Sequence, residues 1–545
     1  MIGPRRLVHN QRPNRKTARC LVAVLLAAVL SAASALSGSL IAQESADAPR
    51  LGTVDFPTSG TPQAQEYFTL GLLYLHSFEY GSAATEFRKA QKEQPDFALA
   101  YWGEAMAHNH PLWRQRDRDA AIEVLERLAP TPAERIALAP TDRERMYMQA
   151  AEALWADGPK AERDTAYMLA MRRLVDAHPD DPDARAFYAL SLLGLSDGVR
   201  VIPTYMRAAA VVEELIDRYP DHPGVAHYMI HSYDDPIHAP LGLRAARAYS
   251  EIAPDAAHAQ HMTTHIFLAL GMWADVVSQN IIAAELTSWR PGHYTAWLGY
   301  GLAQQGRIEA ARQILERAHD LLSSSSRTRA RGYMLSMRAD YLVNTERWSD
   351  PAFEWEIDEE RTSEVVRAKD AFALGVAALQ RGERDESEQQ LARMLWILDN
   401  MADSGTPARD VVRIMTKELS AVIGLHDGLT DGALEILREA TAIEDALPLE
   451  FGPPDVVKPS HELLGEMLLG MDDPSGAVIE FQRALALAPL RALSLRGLGR
   501  AAAAASDEET ALRAYRNLLA IWAEADPGIE GLDEARSFVS ARASE

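Results

Sequence analysis

The sequence predicts an all-α protein in which pairs of antiparallel helices repeat and stack into a superhelical solenoid. Three observations support this fold class. Small and aromatic residues recur in one order at several places, prolines end helical stretches at recurring intervals, and no stretch alternates polar with apolar residues as a strand would. A single helix pair cannot bury its apolar face alone, so we expect neighbouring pairs to stack.

The segment 1–42 has the three parts of an export signal. Six basic residues precede an apolar run from Leu21 to about Leu36, and small residues follow. Either the segment is cleaved, or it stays as a signal anchor, because the run up to Ala42 approaches the length that spans a bilayer. In both cases we expect the remainder to be exported to the periplasm or another extracytoplasmic compartment, with membrane attachment only through an uncleaved anchor. The segment 43–60 is expected to be a flexible leader.

The clearest repeat follows this leader. Gly71 and Ala83 are small enough for two helices to touch, aromatic side chains fill the remaining gap, and Pro95 ends the second helix. The residues that carry the pattern are Tyr67, Leu70, Gly71, Tyr74, Ala83, Phe87, Ala90 and Pro95. Similar sets recur at 298–318, 464–489 and 498–515. This part of the chain closely resembles the tetratricopeptide-repeat family.

The resemblance implies a right-handed solenoid whose first helices line a concave groove, with each helix pair buried only against its neighbours. Second helices of less regular repeats are expected to end near Pro179, Pro220 and Pro254, and the last two of these prolines are one repeat apart. The chain as a whole resembles bacterial exported tetratricopeptide-repeat proteins of unassigned role, and the family usually binds a protein or peptide in its groove. The expected stretches are an N-terminal array with a histidine-rich groove at 61–320, degenerate helical repeats at 330–447 and C-terminal repeats at 448–545.

Charge and composition exclude several classes of function. The formal net charge is −23, and the chain after its basic N-terminal segment carries about −29, which argues against a nucleic-acid partner. The single cysteine, Cys20, lies in the export signal, so the exported part has no thiol for a disulfide, a metal site or nucleophilic attack. No phosphate loop, dinucleotide fingerprint or nucleophile elbow is present. Enzymatic activity is therefore an open question that depends on the histidines.

Histidines are concentrated in two adjacent repeats, since seven of the sixteen lie between residues 222 and 265. One pair is His227 and His231, and a second pair, His261 and His265, follows one repeat later. Residues four apart share a helix face, so the four rings are expected to converge in the groove from neighbouring first helices. The candidate metal ligands are His227, His231, His238, His258, His261 and His265.

Convergent neutral imidazoles favour a divalent transition metal such as Zn²⁺, Cu²⁺, Ni²⁺ or Fe²⁺. No glutamate directly follows His227 or His261, so the pattern of the zinc proteases is absent. Three hypotheses follow. The first is an exported scaffold that binds a protein or peptide partner in the groove, and the second is a periplasmic metalloprotein or metalloenzyme. The third is a groove for a basic peptide in which the histidines act as a pH switch near their ordinary pKa of about 6.5.

Other side chains are expected to face the same groove. His293 takes a groove position in the repeat after the second pair, and Trp102 takes one near the start of the array. Two acidic residues follow the first histidine pair in a loop, and two histidines end the first helix that contains Trp102. The candidate partner contacts are His108, His110, Trp102, Asp234, Asp235 and His293.

Overall fold

The computed structural model describes residues 48–113, 115–196, 199–322, 328–402 and 406–542. The predicted export signal at 1–42 lies outside these residues. Contacts divide the chain into Met1–Arg50 and Leu51–Glu545, and the second unit holds all the elements below. Within the described residues, no helix combines the length and the apolar character needed to cross a bilayer.

Helices make up nearly all of the regular structure. In chain order they are α1 (Pro62–His76), α2 (Tyr80–Glu93), α3 (Ala98–Met106), α4 (Arg118–Leu128), α5 (Pro132–Leu138), α6 (Asp142–Trp155), α7 (Lys160–Ala177), α8 (Pro182–Leu193), α9 (Ile202–Ile216), α10 (Pro223–Tyr233), α11 (Ala239–Ile252), α12 (Ala257–Ala269), α13 (Trp273–Leu286), α14 (His293–Gln304), α15 (Ile308–Leu322), α16 (Thr328–Thr345), α17 (Glu364–Gln380), α18 (Arg384–Asn400), α19 (Ala408–His426), α20 (Thr430–Glu444), α21 (Ser460–Gly470), α22 (Pro474–Leu487), α23 (Ala492–Ala504), α24 (Glu508–Ile521) and α25 (Leu532–Arg542). Short 3-10 helices span Pro351–Glu354 and Trp522–Glu524, and a hairpin pairs β1 (Asn109–His110) with β2 (Gln115–Arg116).

Consecutive helices pack as pairs, and first helices also pack on one another, as α8 does on α10 and α10 on α12. The predicted contacts between small and aromatic residues stabilise these helix pairs. A Cβ added to Gly71 would come within 2.9 Å of the Phe87 ring, and one added to Gly465 within 3.0 Å of the Phe481 ring. The predicted all-α solenoid of tetratricopeptide-like helix pairs is thereby confirmed.

The local sequence explains where helices begin and end. Thr61 accepts a hydrogen bond from the Ala64 N–H and Pro62 occupies the first turn, which is a favourable start for α1. The helices α7, α9 and α11 end at Ala177, Ile216 and Ile252, shortly before the three prolines expected to stop them.

The leader differs from the expectation of a flexible segment at 43–60. Leu51 and Phe56 are buried, the Thr53 N–H donates to the Asp221 carbonyl at 2.9 Å, and the Ser59 N–H donates to Glu144 at 2.7 Å. The physical reason is Phe56, whose ring lies 5.0 Å from that of Tyr147 and contributes to the first core. The described part of this segment therefore packs against the solenoid and contributes to its first core.

Contacts between distant repeats also correct the expectation that each pair is buried only against its neighbours. The Trp273 indole N–H donates to the Leu490 carbonyl at 2.8 Å, and the Trp522 indole N–H donates to the Gln304 carbonyl at 3.1 Å. The Gly306 carbonyl accepts from the Asp526 N–H at 3.0 Å. The C-terminal repeats thus close onto α13 and α14, and the groove becomes a cleft.

Candidate metal centre

The histidine pairs lie on α10 and α12, two first helices that are buried along their whole length. Pro223 in the first turn and His222 at the N-cap start α10, where the His222 ring accepts from the Val225 N–H. In a helix covered on every side, a polar ring has no access to bulk water, so each imidazole nitrogen needs a partner inside the protein.

The first histidine cluster consists of His227, His231 and His258. One ring nitrogen from each lies within 4.8 Å of the other two. The His227 Nδ1–H donates to the carbonyl of His76 at 2.6 Å. The Nε2 of the neutral His227 ring therefore carries a lone pair and no proton. This Nε2, the Nε2 of His231 and both nitrogens of His258 are buried without a hydrogen-bond partner among the described residues. Three open imidazole nitrogens therefore converge in a buried space.

The second histidine cluster consists of His261, His265 and His293, again with one nitrogen each within 4.8 Å of the others. Its protonation pattern follows from the neighbours. Asn280 donates its amide N–H to the Val276 carbonyl at 2.9 Å, so its Oδ1 faces His261 and accepts from that ring's Nδ1 at 2.8 Å. His265 Nδ1 donates to a carboxylate, Asp234 Oδ2, at 2.5 Å.

These hydrogen bonds leave two lone pairs facing each other. With both Nδ1 atoms protonated, neither Nε2 of His261 nor Nε2 of His265 carries a proton in the neutral rings, although the two atoms are 3.1 Å apart. Two lone pairs at that distance repel unless a proton or a cation lies between them. Burial and the neighbouring rings of His293 and His265 lower the pKa of His261 well below its ordinary value, which disfavours a proton on that ring.

Burial keeps most of the other cluster rings neutral as well. It lowers the pKa of His227 to about 3, against an opposing hydrogen bond to the His76 carbonyl. Burial also lowers the pKa of His293 to about 3, with the charges of His265 and Arg329 acting in the same direction. The pKa values of His231 and His258 lie well below the ordinary value of histidine, first because of burial and then because of the neighbouring histidines. These four rings thus present neutral nitrogen donors at neutral pH.

A turn that sequence reasoning did not single out covers the first cluster. The Phe78 ring lies 4.3 Å from that of His227, 5.8 Å from His231 and 5.4 Å from His258. Its φ of +54° is unusual for a bulky residue and costs on the order of 1–3 kcal/mol. The surrounding packing overcomes this cost and holds an apolar cover against three imidazoles.

A third histidine group differs from the two clusters, because all the ring nitrogens of its histidines have hydrogen-bond partners in the protein. His76 Nε2 and His222 Nε2 both donate to Asp183 Oδ1, at 2.8 and 3.2 Å. His76 Nδ1 accepts from the Tyr228 hydroxyl at 3.0 Å. Although burial alone would raise the pKa of Asp183, His222 and His76 hold it below its ordinary value. With its ring nitrogens already used, this group serves as a structural network between α1, α8 and α10.

Three predicted site residues in the loop after α10 have roles other than those expected. His238 belongs to neither cluster, because its Nδ1 lies 2.8 Å from both carboxylate oxygens of Asp235. Asp235 is buried and also pairs with Arg200 at 2.9 Å, so it caps this loop and is not exposed to a partner. Asp234 is likewise buried and orients His265 through its carboxylate.

Predicted contacts near the start of the array are also corrected in part. Trp102 is 1% exposed and packs in the core, with its ring 5.2 Å from Tyr147, because the leader covers the helix face expected to line the groove. His110 lies in β1, 3.8 Å from the Tyr80 ring, and is half-buried outside the clusters. His108 precedes the hairpin and is half-buried as well. His293, in contrast, joins the second cluster.

A cavity of about 930 Å³ lies in the groove beside the clusters. His231, His258, His265 and His293 contribute to its lining. The connection from α20 to α21 lines it from another side and places Phe451 5.2 Å from the His265 ring. Both clusters therefore border this cleft.

Comparisons with known proteins assign no family to the chain, since neither a family model nor a curated protein matches it. Similar solved structures include the IFIT1 monomeric mutant with Gppp-AAAA, at 13% identity and a TM-score of 0.38, with 82% of this chain and 95% of that chain covered. The human IFIT1 dimer with PPP-AAAA has 14% identity and a TM-score of 0.37, with 82% and 94% covered. Similarity of this degree transfers no ligand to this protein.

Proposed function

We propose that this protein is an exported metalloprotein that binds a divalent transition metal ion at each of its two histidine clusters. One observation carries the proposal: the Nε2 atoms of His261 and His265 face each other at 3.1 Å with both Nδ1–H groups already committed. Two nitrogens bound to one tetrahedral Zn²⁺ would be about 3.3 Å apart, given bonds of roughly 2.0–2.1 Å. The observed separation fits a shared ion closely.

The ligand chemistry narrows the choice of ion. Neutral imidazole suits Zn²⁺, Cu²⁺, Ni²⁺ and Fe²⁺, whereas Mg²⁺ and Ca²⁺ prefer oxygen. Asp234 and the His76 carbonyl would orient two of the rings through their Nδ1–H groups, the usual support for metal-bound histidine. Three nitrogens per ion leave a coordination position for water or a ligand, as in catalytic zinc sites. Export is proposed from the N-terminal signal pattern alone.

A second candidate function is the binding of a protein or peptide partner in the groove. The cleft of about 930 Å³ with aromatic lining favours it. The net charge of −23 argues against a nucleic-acid ligand in either proposal. The two candidates differ in whether the histidines hold metal without any partner.

The metal content of the purified protein distinguishes the two candidate functions directly. We expect tagless protein secreted to a periplasm to contain close to two equivalents of transition metal by plasma mass spectrometry. The double variant His231→Ala/His265→Ala removes one ligand from each cluster and should retain only trace metal. The matched control His319→Ala/His426→Ala removes two histidines outside the clusters and should keep the wild-type content.

Circular dichroism spectra of all three proteins verify that they are folded. Trace metal in folded wild-type protein, unchanged after incubation with Zn²⁺, Cu²⁺, Ni²⁺ or Fe²⁺ and desalting, would contradict the metalloprotein proposal. A peptide-binding groove would then be the better explanation of the cleft.

A further inference from the structure

We propose that the cleft binds a small organic carboxylate with an aromatic body, and that this carboxylate takes the open coordination positions of the metal centre. This inference rests on the proposed function, because the metal ions supply part of the binding site. Its support comes from the charge of the clusters, the cations of the cleft and the shape of its walls.

The candidate ligands carry no negative charge that would offset the positive charge of the bound ions. All candidate ligands in both clusters are imidazole nitrogens, which bind a metal ion in their neutral form, and Asp234 adds a single negative charge through its hydrogen bond to His265. Two divalent ions would place four positive charges in a buried space, where unpaired charge is costly. An anion that enters from the cleft offsets this charge, and a carboxylate is an oxygen donor that can also coordinate.

Two arginines of the cleft are free to meet such an anion. Arg290 and Arg329 line the cavity and are exposed, and neither side chain forms an ion pair with any residue that the structure describes. Buried arginines elsewhere are paired, as Arg338 is with Asp370 at 2.8 Å. Arg329 lies one helical turn before Tyr333 on α16, and the Tyr333 ring lies 6.0 Å from that of His293. A cation therefore lies beside the second cluster.

The acidic residues of the cleft include one near the first cluster, because Glu450 lines a small pocket together with His231 and Asp234. Glu444, Glu450 and Asp455 belong to the end of α20 and the connection that follows it. Glu444 accepts from the Ser460 N–H at 2.8 Å and is used to start α21. Arg290, in contrast, precedes α14, and Arg329 lies in the first turn of α16. The cleft thus has a cationic side next to His293, where the carboxylate of a ligand would lie.

Aromatic side chains provide the apolar part of the site. The Trp297 ring lies 4.4 Å from that of His265, Tyr294 lies 4.8 Å from His261, and Phe451 lies 5.2 Å from His265. Flat rings of this kind favour stacking with an aromatic ligand. The cavity volume of about 930 Å³ falls in the range of small-molecule sites, roughly 300–1,000 Å³.

The connection after α20 favours a small ligand over an extended peptide. Gly452 has a φ of +92°, and a Cβ at this position would come within 2.6 Å of the Trp297 ring. The backbone therefore lies directly against the aromatic wall and narrows the groove above the second cluster. An extended chain running along the solenoid would have to displace this contact, whereas a compact anion fits beside it.

The test uses full-length secreted protein loaded with Co²⁺, whose absorption spectrum reports the coordination of the ion. Cobalt content is measured first. Benzoate and its neutral analogue benzamide are then titrated, with the spectrum and isothermal calorimetry as readouts. We expect benzoate to change the cobalt spectrum and to bind, and benzamide to do neither. Arg329→Ala should weaken benzoate binding by about tenfold with cobalt content unchanged. Arg247→Ala, an exposed arginine of α11 outside the cleft, is the matched control.

The outcomes separate the two proposals. Absence of bound cobalt overturns the metal centre, and the carboxylate inference with it. Cobalt bound at the expected content, with a spectrum that benzoate leaves unchanged, overturns the carboxylate inference alone, as does equal binding of benzamide. N-acetylglycylphenylalanine tests the other source of a carboxylate. If this compound binds more than about tenfold tighter than benzoate, the ligand is a peptide C-terminus and the small-molecule part of the inference is overturned.

Discussion

His227 shows how a single buried residue links protonation to stability. Its side chain is 0% exposed, and burial lowers its pKa to about 3 against the effect of its hydrogen bond to the His76 carbonyl. In the unfolded chain the pKa of a histidine is about 6.5. Below that pH the unfolded state therefore binds a proton that the folded state does not, and the metal-free protein loses stability as the pH falls.

We expect metal-free protein to be less stable at pH 5.5 than at pH 7.5. Each ring that stays neutral when folded costs about 1.4 kcal/mol of unfolding free energy per pH unit below 6.5, until the folded pKa is reached. The variant His227→Gln should reduce this pH dependence by the contribution of one ring. Urea unfolding at both pH values measures it, and His426→Gln, at an exposed histidine, is the control. An unfolding free energy that is independent of pH over this interval would contradict the neutral state of the clusters.

At the scale of the helices, the repeat explains why there are two clusters. The pair on α10 and the pair on α12 are one repeat apart, and in each case the third ring comes from the first turn of the next first helix. His258 begins α12 and completes the first cluster, while His293 begins α14 and completes the second. Each cluster therefore joins two repeats, and α12 contributes to both.

This arrangement predicts that the two ions can be removed separately. His258→Ala should lower the cobalt content from about two equivalents to one, and His293→Ala should do the same, because each variant loses a ligand of one cluster only. Plasma mass spectrometry and the cobalt spectrum of each variant give the result. If either single substitution removes all of the metal, the six rings form one centre whose ions bind together.

The helices and their histidine pairs could be predicted from the sequence because helical spacing and repeat period are properties of chain order. The contacts of Phe78 with the first cluster could not, since they bring together residues from distant repeats and leave no pattern at a fixed spacing. For Trp102 the sequence pattern predicts an accessible side chain, whereas the structure buries it. Its position in the repeat predicts a groove residue, but the packed leader with Phe56 covers that helix face.

At the scale of the whole molecule, a buried arginine connects repeats that are far apart in sequence. Arg491 is 0% exposed and bonds to Glu462 at 2.7 and 3.0 Å, to the Tyr300 hydroxyl at 3.2 Å and to Asn344 at 2.6 Å. Burial alone would raise the pKa of Glu462, but the charges of Arg491 and Lys458 hold it at about 2. One ion pair thus joins α14, α16, α21 and the start of α23.

This network predicts that the solenoid unfolds as a closed unit and not from its C-terminal end. The variant Glu462→Gln leaves the Arg491 charge buried without a counter-charge, which typically costs about 3–5 kcal/mol. We expect its urea midpoint to fall, and hydrogen exchange to show that α21 to α24 lose protection before α10 and α12. The control Glu439→Gln removes an exposed ion pair with Lys417, for which a cost below about 1 kcal/mol is expected. Equal effects of the two substitutions would mean that the solenoid is held by contacts between neighbouring repeats, and that closure of the cleft does not depend on Arg491.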